Sequence, residues 1–133
     1  MAVTGERGDR RRARRQRLSR SAEFDRVYRE GRSHASRHFV LYAFPREDAG
    51  EDPRLGVSVG RKVGGAVERN RVKRLLREAF WALGENLPDG HDFVVVARPD
   101  AGDLARKDGE QGVEAALREL LAKAGYAAAE KPE

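Results

Sequence analysis

The sequence predicts a single α+β domain, an α/β sandwich in which helices cover one small sheet, and three observations predict it. Apolar runs of strand length, FVLYAF (39–44), LGVSVG (55–60) and FVVVA (93–97), alternate with segments whose apolar residues recur at helical spacing, over 21–30, 67–83 and 112–124. A length of 133 residues suits one domain with one modest core, and no internal repeat is visible. Polar stretches close both ends. The expected order is therefore α-β-β-α-β-α within residues 18–125, between a basic tail at 1–17 and a short tail at 126–133.

Each element has a local reason. Ser21 is placed to cap the first helix, Glu23 and Asp25 suit its positive end, and Phe24, Val27 and Tyr28 make its apolar face. Gly31 is a natural stop. FVLYAF is apolar on both faces, and the polar PREDAGEDPR that follows reads as an exposed, hairpin-like loop. In LGVSVG, Leu55, Val57 and Val59 face a core, while Gly56, Ser58 and Gly60 leave the other face nearly bare for close approach by a helix or another chain. FVVVA is a buried strand ended by Arg98-Pro99. The last helix carries Val113, Ala116, Leu117, Leu120 and Leu121 as its stripe.

Charge is distributed unevenly. Residues 1–32 carry a net +6 and residues 61–77 another +6, whereas residues 78–133 carry −6. Two basic blocks on an otherwise acidic chain point to a localised face for a polyanion. Of the 27 basic residues 22 are Arg, whose planar fork suits phosphates and bases. The tail at 1–17 lacks the bulky apolar residues of a membrane-surface helix, so RNA fits it better than lipid. With no cysteine, disulfides and thiolate metal sites are excluded. A cytoplasmic protein is the simplest expectation, with no membrane partner.

The helix over 67–83 concentrates the second block. On a helical wheel Val72, Leu75, Leu76, Ala79, Phe80 and Leu83 share one side. Asn70, Lys73, Arg74 and Arg77 lie opposite, with Arg69 and Arg71 at the margins. A solvated helix face usually mixes signs for i,i+4 pairing, yet no acid stands between Glu68 and Glu78. Cations at a helix N-terminus also oppose the macrodipole, at about 0.3–1 kcal/mol each. An external polyanion removes both conflicts. Gly64-Gly65 just before the helix has two readings: a backbone seat for an anion, or a tight turn that needs positive φ. Neither a P-loop nor a dinucleotide fingerprint is present.

AVERNRVKRLLR (66–77), preceded by SVGRKVG (58–64), resembles the hallmark motif of the bacterial ribonuclease P protein subunit. FDRVYREG (24–31), RHFVLY (37–42) and DFVVVAR (92–98) resemble further family stretches in the same order, so that the resemblance covers roughly residues 16–124. It implies a protein cofactor of a ribonucleoprotein endoribonuclease that removes the 5′ leader from precursor tRNA. The catalyst would be the RNA subunit with its bound Mg²⁺, with no metal on the protein alone and one protein per RNA. Arg69, Asn70, Arg71, Lys73, Arg74 and Arg77 would touch the catalytic RNA. Phe24, Tyr28, Phe39 and Tyr42, flanked by Arg61 and Lys62, would form a cleft for the leader. The residues alone favour core packing for those four aromatics over a cleft. The resemblance also implies a left-handed βαβ crossover, against the general right-handed preference.

Catalysis by the protein itself is not expected. There is no Cys nucleophile, no G-x-S-x-G, and His34, His38 and His91 are not spaced as a metal or catalytic set. A ribosomal-type RNA-binding protein is the alternative. A DNA-binding recognition helix is disfavoured, because a strand rather than a helix precedes 67–83.

Overall fold

Phe93, Val94 and Val95 are fully buried, and the strand that carries them runs through the middle of the sheet. A computed structural model describes residues 16–18, 21–46, 52–83, 87–88 and 90–126. Their order is β1 (Gln16–Arg17), α1 (Ser21–Glu30), β2 (Arg32–Ala35), β3 (Phe39–Pro45), β4 (Arg54–Val59), α2 (Ala66–Leu83), β5 (His91–Ala97) and α3 (Ala101–Ala124). The five strands form one mixed sheet in the spatial order β1-β4-β5-β3-β2. β4 is parallel to both β1 and β5, while β3 is antiparallel to β5 and β2. The α+β sandwich expected from the sequence is thus present.

Three details differ from expectation. β3 and β4 do not form a hairpin, because β5 lies between them: Leu55 and Ala43 both pair with Phe93. β2 is an additional edge strand, and β1 lies inside the segment expected to be a tail. The last helix begins at Ala101 rather than near 112, with a kink at Gly109 (φ 60°, ψ −146°). Residues 1–15 and 127–133, the rest of the expected tails, fall outside the described residues.

Strand alternation sorts side chains onto two unequal faces. One face carries Phe39, Leu41, Leu55, Val59, Phe93 and Val95, which pack with Val72, Leu76 and Phe80 of α2 and Val113, Leu117 and Leu121 of α3. Burying each such large side chain contributes about 1.5–3 kcal/mol, so this layer is the main source of stability. On the opposite face α1 is the one helix among the described residues, and its Val27 packs with Leu18, which follows β1, and with Val94 of β5, while Phe24, Tyr42, Phe44 and Val96 lie at the margin. Ser21, expected as a cap, is the first residue of α1 itself. Gly31 ends the helix by proximity: an added Cβ would stand 2.6 Å from the Val27 carbonyl oxygen and 2.7 Å from that of Ala43.

Under α1, Asp92 is fully buried. Arg54 donates to it through Nε (2.8 Å) and Nη2 (2.9 Å), with Arg46 and Arg26 completing the cage. Arg54 also reaches Glu23 of α1 at 3.1 Å. Burial would raise the Asp92 carboxyl, but the hydrogen bonds and charges of Arg54 and Arg46 outweigh it and hold the group below the usual carboxylate value.

Candidate nucleic-acid interface

Helix α2 is anchored by its apolar stripe. Val72, Leu75, Leu76, Ala79 and Phe80 are buried, which forces the intervening positions outward. Its first bond runs from the Arg69 N–H to the Gly65 carbonyl at 2.8 Å. Neither Gly64 nor Gly65 has positive φ, so the turn does not require glycine for that reason. Instead, the Glu68 side chain folds over Gly64, in the space a Cβ would fill. An internal carboxylate therefore sits at the helix's positive end, and Arg106 of α3 pairs with it at 3.1 Å.

The predicted cations fall into distinct settings. Asn70, Arg71 and Arg74 are exposed, and Arg69, Lys73 and Arg77 are half-buried. Arg71 donates one N–H to the Ala105 carbonyl of α3 at 3.2 Å, which fixes its guanidinium beside the second helix. Arg69 keeps a buried Nε with no hydrogen-bond partner. Burial lowers the Arg77 guanidinium from its ordinary value, and the nearby charge of Arg17 lowers it further. Among the described residues, no ion pair neutralises Lys73, Arg74 or Arg77.

The second candidate surface is the part of the sheet that α1 leaves open. Phe24 presses onto Gly56, where an added Cβ would lie 2.5 Å from Phe24 Cζ. Tyr28 follows one turn later at 6.2 Å from Phe24 and meets Tyr42 edge-on, with ring centroids 4.9 Å apart. Tyr28 is 38% exposed. Burial pushes its phenol up, a hydrogen bond with the Ser58 side chain partly offsets this, and Tyr42 and Asp25 add to the rise. Val40, Ser58 and Val96 continue the floor, all half-buried. Arg61 and Lys62 are exposed in the turn just beyond β4.

Phe39 does not join this surface. It is fully buried in the main core, on the opposite face of β3 from Tyr42. The reason is parity: residues three apart on a strand point to opposite sides. Phe24, Tyr28 and Tyr42 meet, as the cleft expectation requires, and Phe39 is withdrawn from it.

The family model described as "Ribonuclease P" matches residues 13–124. The chain belongs to the ribonuclease P protein family. A relative from Shouchella clausii named "Ribonuclease P protein component" is 45% identical over 104 residues, covering 77% of this chain and 84% of that one. The Staphylococcus aureus RNase P protein structure superposes with a TM-score of 0.74 at 34% identity, over 83% of this chain and 95% of that one. The RNase P protein structure from Thermotoga maritima gives 0.71 at 31% identity, over 82% and 97%.

Within this member of the family, two residues of the α2 surface stand outside the sequence-based expectations. Arg17 enters through β1, a two-residue strand with no sequence signature of its own. Trp81, the sole tryptophan, did have a signal: it falls in the cationic sector of the wheel, beside Arg74 and Arg77, and in the structure it is half-buried against the edge of the main core. Among the described residues, no group of three or more His, Asp or Glu side chains could hold a metal ion.

Proposed function

We propose that this protein binds the catalytic RNA of ribonuclease P through the cationic face of α2. The same protein holds the 5′ leader of precursor tRNA on the open sheet face, and the RNA subunit, with Mg²⁺ that it binds itself, cuts the leader away. The observation that carries this reading is the one-sided placement of Asn70, Lys73, Arg74 and Arg77. They stand opposite a buried apolar stripe, and among the described residues no ion pair engages Lys73, Arg74 or Arg77.

The chemistry required of the protein is positional. Cations that neutralise phosphates release counterions and let two RNAs approach. Aromatic rings hold unpaired bases without sequence preference, at about 1–3 kcal/mol per base, and Tyr28 and Tyr42 are edge-on and accessible enough to do so. Arg61 and Lys62 at the end of the same face suit the backbone of that strand. Fixing the leader converts part of a bimolecular encounter into a positioned one.

The test is reconstitution. The protein, its cognate RNA subunit and a 5′-extended precursor tRNA are mixed at Mg²⁺ too low for efficient cleavage by the RNA alone. Cleavage at the mature 5′ end that needs both components supports the reading. RNA binding without stimulation overturns it in favour of a ribosomal-type RNA-binding role.

A further inference from the structure

A groove of about 240 Å³ lies between β1 and the C-terminal half of α2, lined by Arg17, Leu55, Arg74, Arg77, Glu78 and Trp81. Its size is below the roughly 300–1,000 Å³ of pockets that enclose whole drug-sized ligands, so a single planar ring is the scale it suits. Its chemistry is divided. Leu55 is buried at the floor and Trp81 is half-buried, held edge-on to Phe80 with ring centroids 5.1 Å apart. Arg17, Arg74 and Arg77 supply the cations, and no ion pair among the described residues neutralises any of them. Glu78 contributes one carboxylate to the same wall.

We propose that this groove takes one unpaired nucleotide of the RNA subunit, its base against Trp81 and Leu55 and its phosphate between Arg17 and Arg77. An inorganic anion would leave the apolar floor without a partner, and an apolar ligand would leave the guanidinium groups facing each other. A base joined to a phosphate satisfies both. The Glu78 carboxylate can only accept hydrogen bonds, which suits an amino group on the exposed base edge or the 2′-hydroxyl of the ribose. Arg74 and Arg77 belong both to the groove and to the α2 face assigned above to the RNA subunit, so the occupant is a nucleotide of that RNA and not a free one. Burial first, and then the nearby charge of Arg17, lower the Arg77 guanidinium from its ordinary value, and an anion in the groove would relieve the second of these. The inference rests on the α2 reading and adds to it a base-recognition point that a row of phosphate contacts alone lacks.

Trp81 is the only tryptophan in the chain, so its emission reports on the groove directly. The full-length protein is titrated with its RNA subunit, with complex formation followed in parallel by gel shift, and separately with inorganic polyphosphate. The expected result is strong quenching by the RNA at saturation and little by polyphosphate. Trp81→Leu should weaken RNA-subunit binding roughly tenfold, as loss of one stacked base does, while Trp81→Phe should retain most of the affinity. Emission unchanged in a complex that the gel shift shows to be formed overturns the groove and leaves the α2 reading standing. Equal quenching by polyphosphate also overturns it, since charge alone then suffices. Absence of any complex removes both. The wild-type titration decides the matter even if Trp81→Leu folds poorly.

Discussion

Phe24 occupies the space that a side chain at position 56 would need, with its Cζ 2.5 Å from where the Cβ of residue 56 would stand. The contact sets how deeply α1 sits on the sheet, and so where Tyr28 meets Tyr42. Gly56→Val should lift the helix and destabilise the fold by about 1–3 kcal/mol, the usual effect of overpacking. Urea denaturation of the variant should show a lower midpoint at unchanged slope. A midpoint equal to wild type would mean that α1 docks independently of this contact.

The tyrosine pair can be tested apart from the fold. Tyr28→Ala combined with Tyr42→Ala should weaken binding of a leader-bearing precursor to the reconstituted enzyme roughly tenfold, the loss of one stacked base. Mature tRNA, which has no leader, should be unaffected. Equal losses for the two RNAs would show that the rings act on something other than the leader.

Arg71 and Lys73 lie on opposite flanks of α2 and should act as independent phosphate contacts. Replacing both by Ala should weaken RNA-subunit binding and reduce the slope of log affinity against log salt by about 1–2. Arg71→Ala also loses the bond to the Ala105 carbonyl, at a stability cost of about 1 kcal/mol. Filter binding across a salt series reads the first effect and thermal melting the second.

The buried Asp92 should give the protein an acid limit. Its folded carboxyl lies below the ordinary value, so the group stabilises the fold fully above about pH 4, the unfolded value. That contribution is lost as the pH falls through the folded value. Asp92→Asn leaves Arg46 and Arg54 facing a neutral group and should cost about 3–5 kcal/mol at pH 7. Denaturation curves of wild type and variant should converge as the solution is acidified below pH 4. A gap that persists there would assign the loss to packing instead of charge.

What could be read beforehand follows from which forces act locally. The stripe of α2 and its cationic reverse are set by spacing within one element, and both are where the wheel puts them. The same holds for the alternation in LGVSVG, whose bare face does receive a helix at Gly56. The parity of Phe39 and Tyr42 was also present in the sequence, since three positions along a strand reverse the face. What was not local was the unequal cover of the sheet, with two helices on one side and one on the other. β1 and β2 have little apolar content and exist because neighbouring backbones pair with them. The first half of α3 was hidden for a similar reason. Gly102, Gly109 and Gly112 lower its intrinsic propensity, and it is held by tertiary contact: Gly102 lies against the Val63 carbonyl, and Arg106 reaches Glu68.

The central strand is also, among the described residues, the last strand in sequence order. During synthesis, β3 and β4 leave the ribosome with only their outer neighbours β2 and β1 to pair with, because the backbone that must lie between them has not yet been made. The sheet can close only after residues 91–97 appear, and its main layer only after α3. A nascent chain therefore displays the whole Arg-rich segment of α2 before it has a core to hold that helix in shape, beside ribosomal RNA, the most abundant polyanion nearby. Productive folding must compete with that early encounter, and the order of strands makes the protein's own completion the step that ends it.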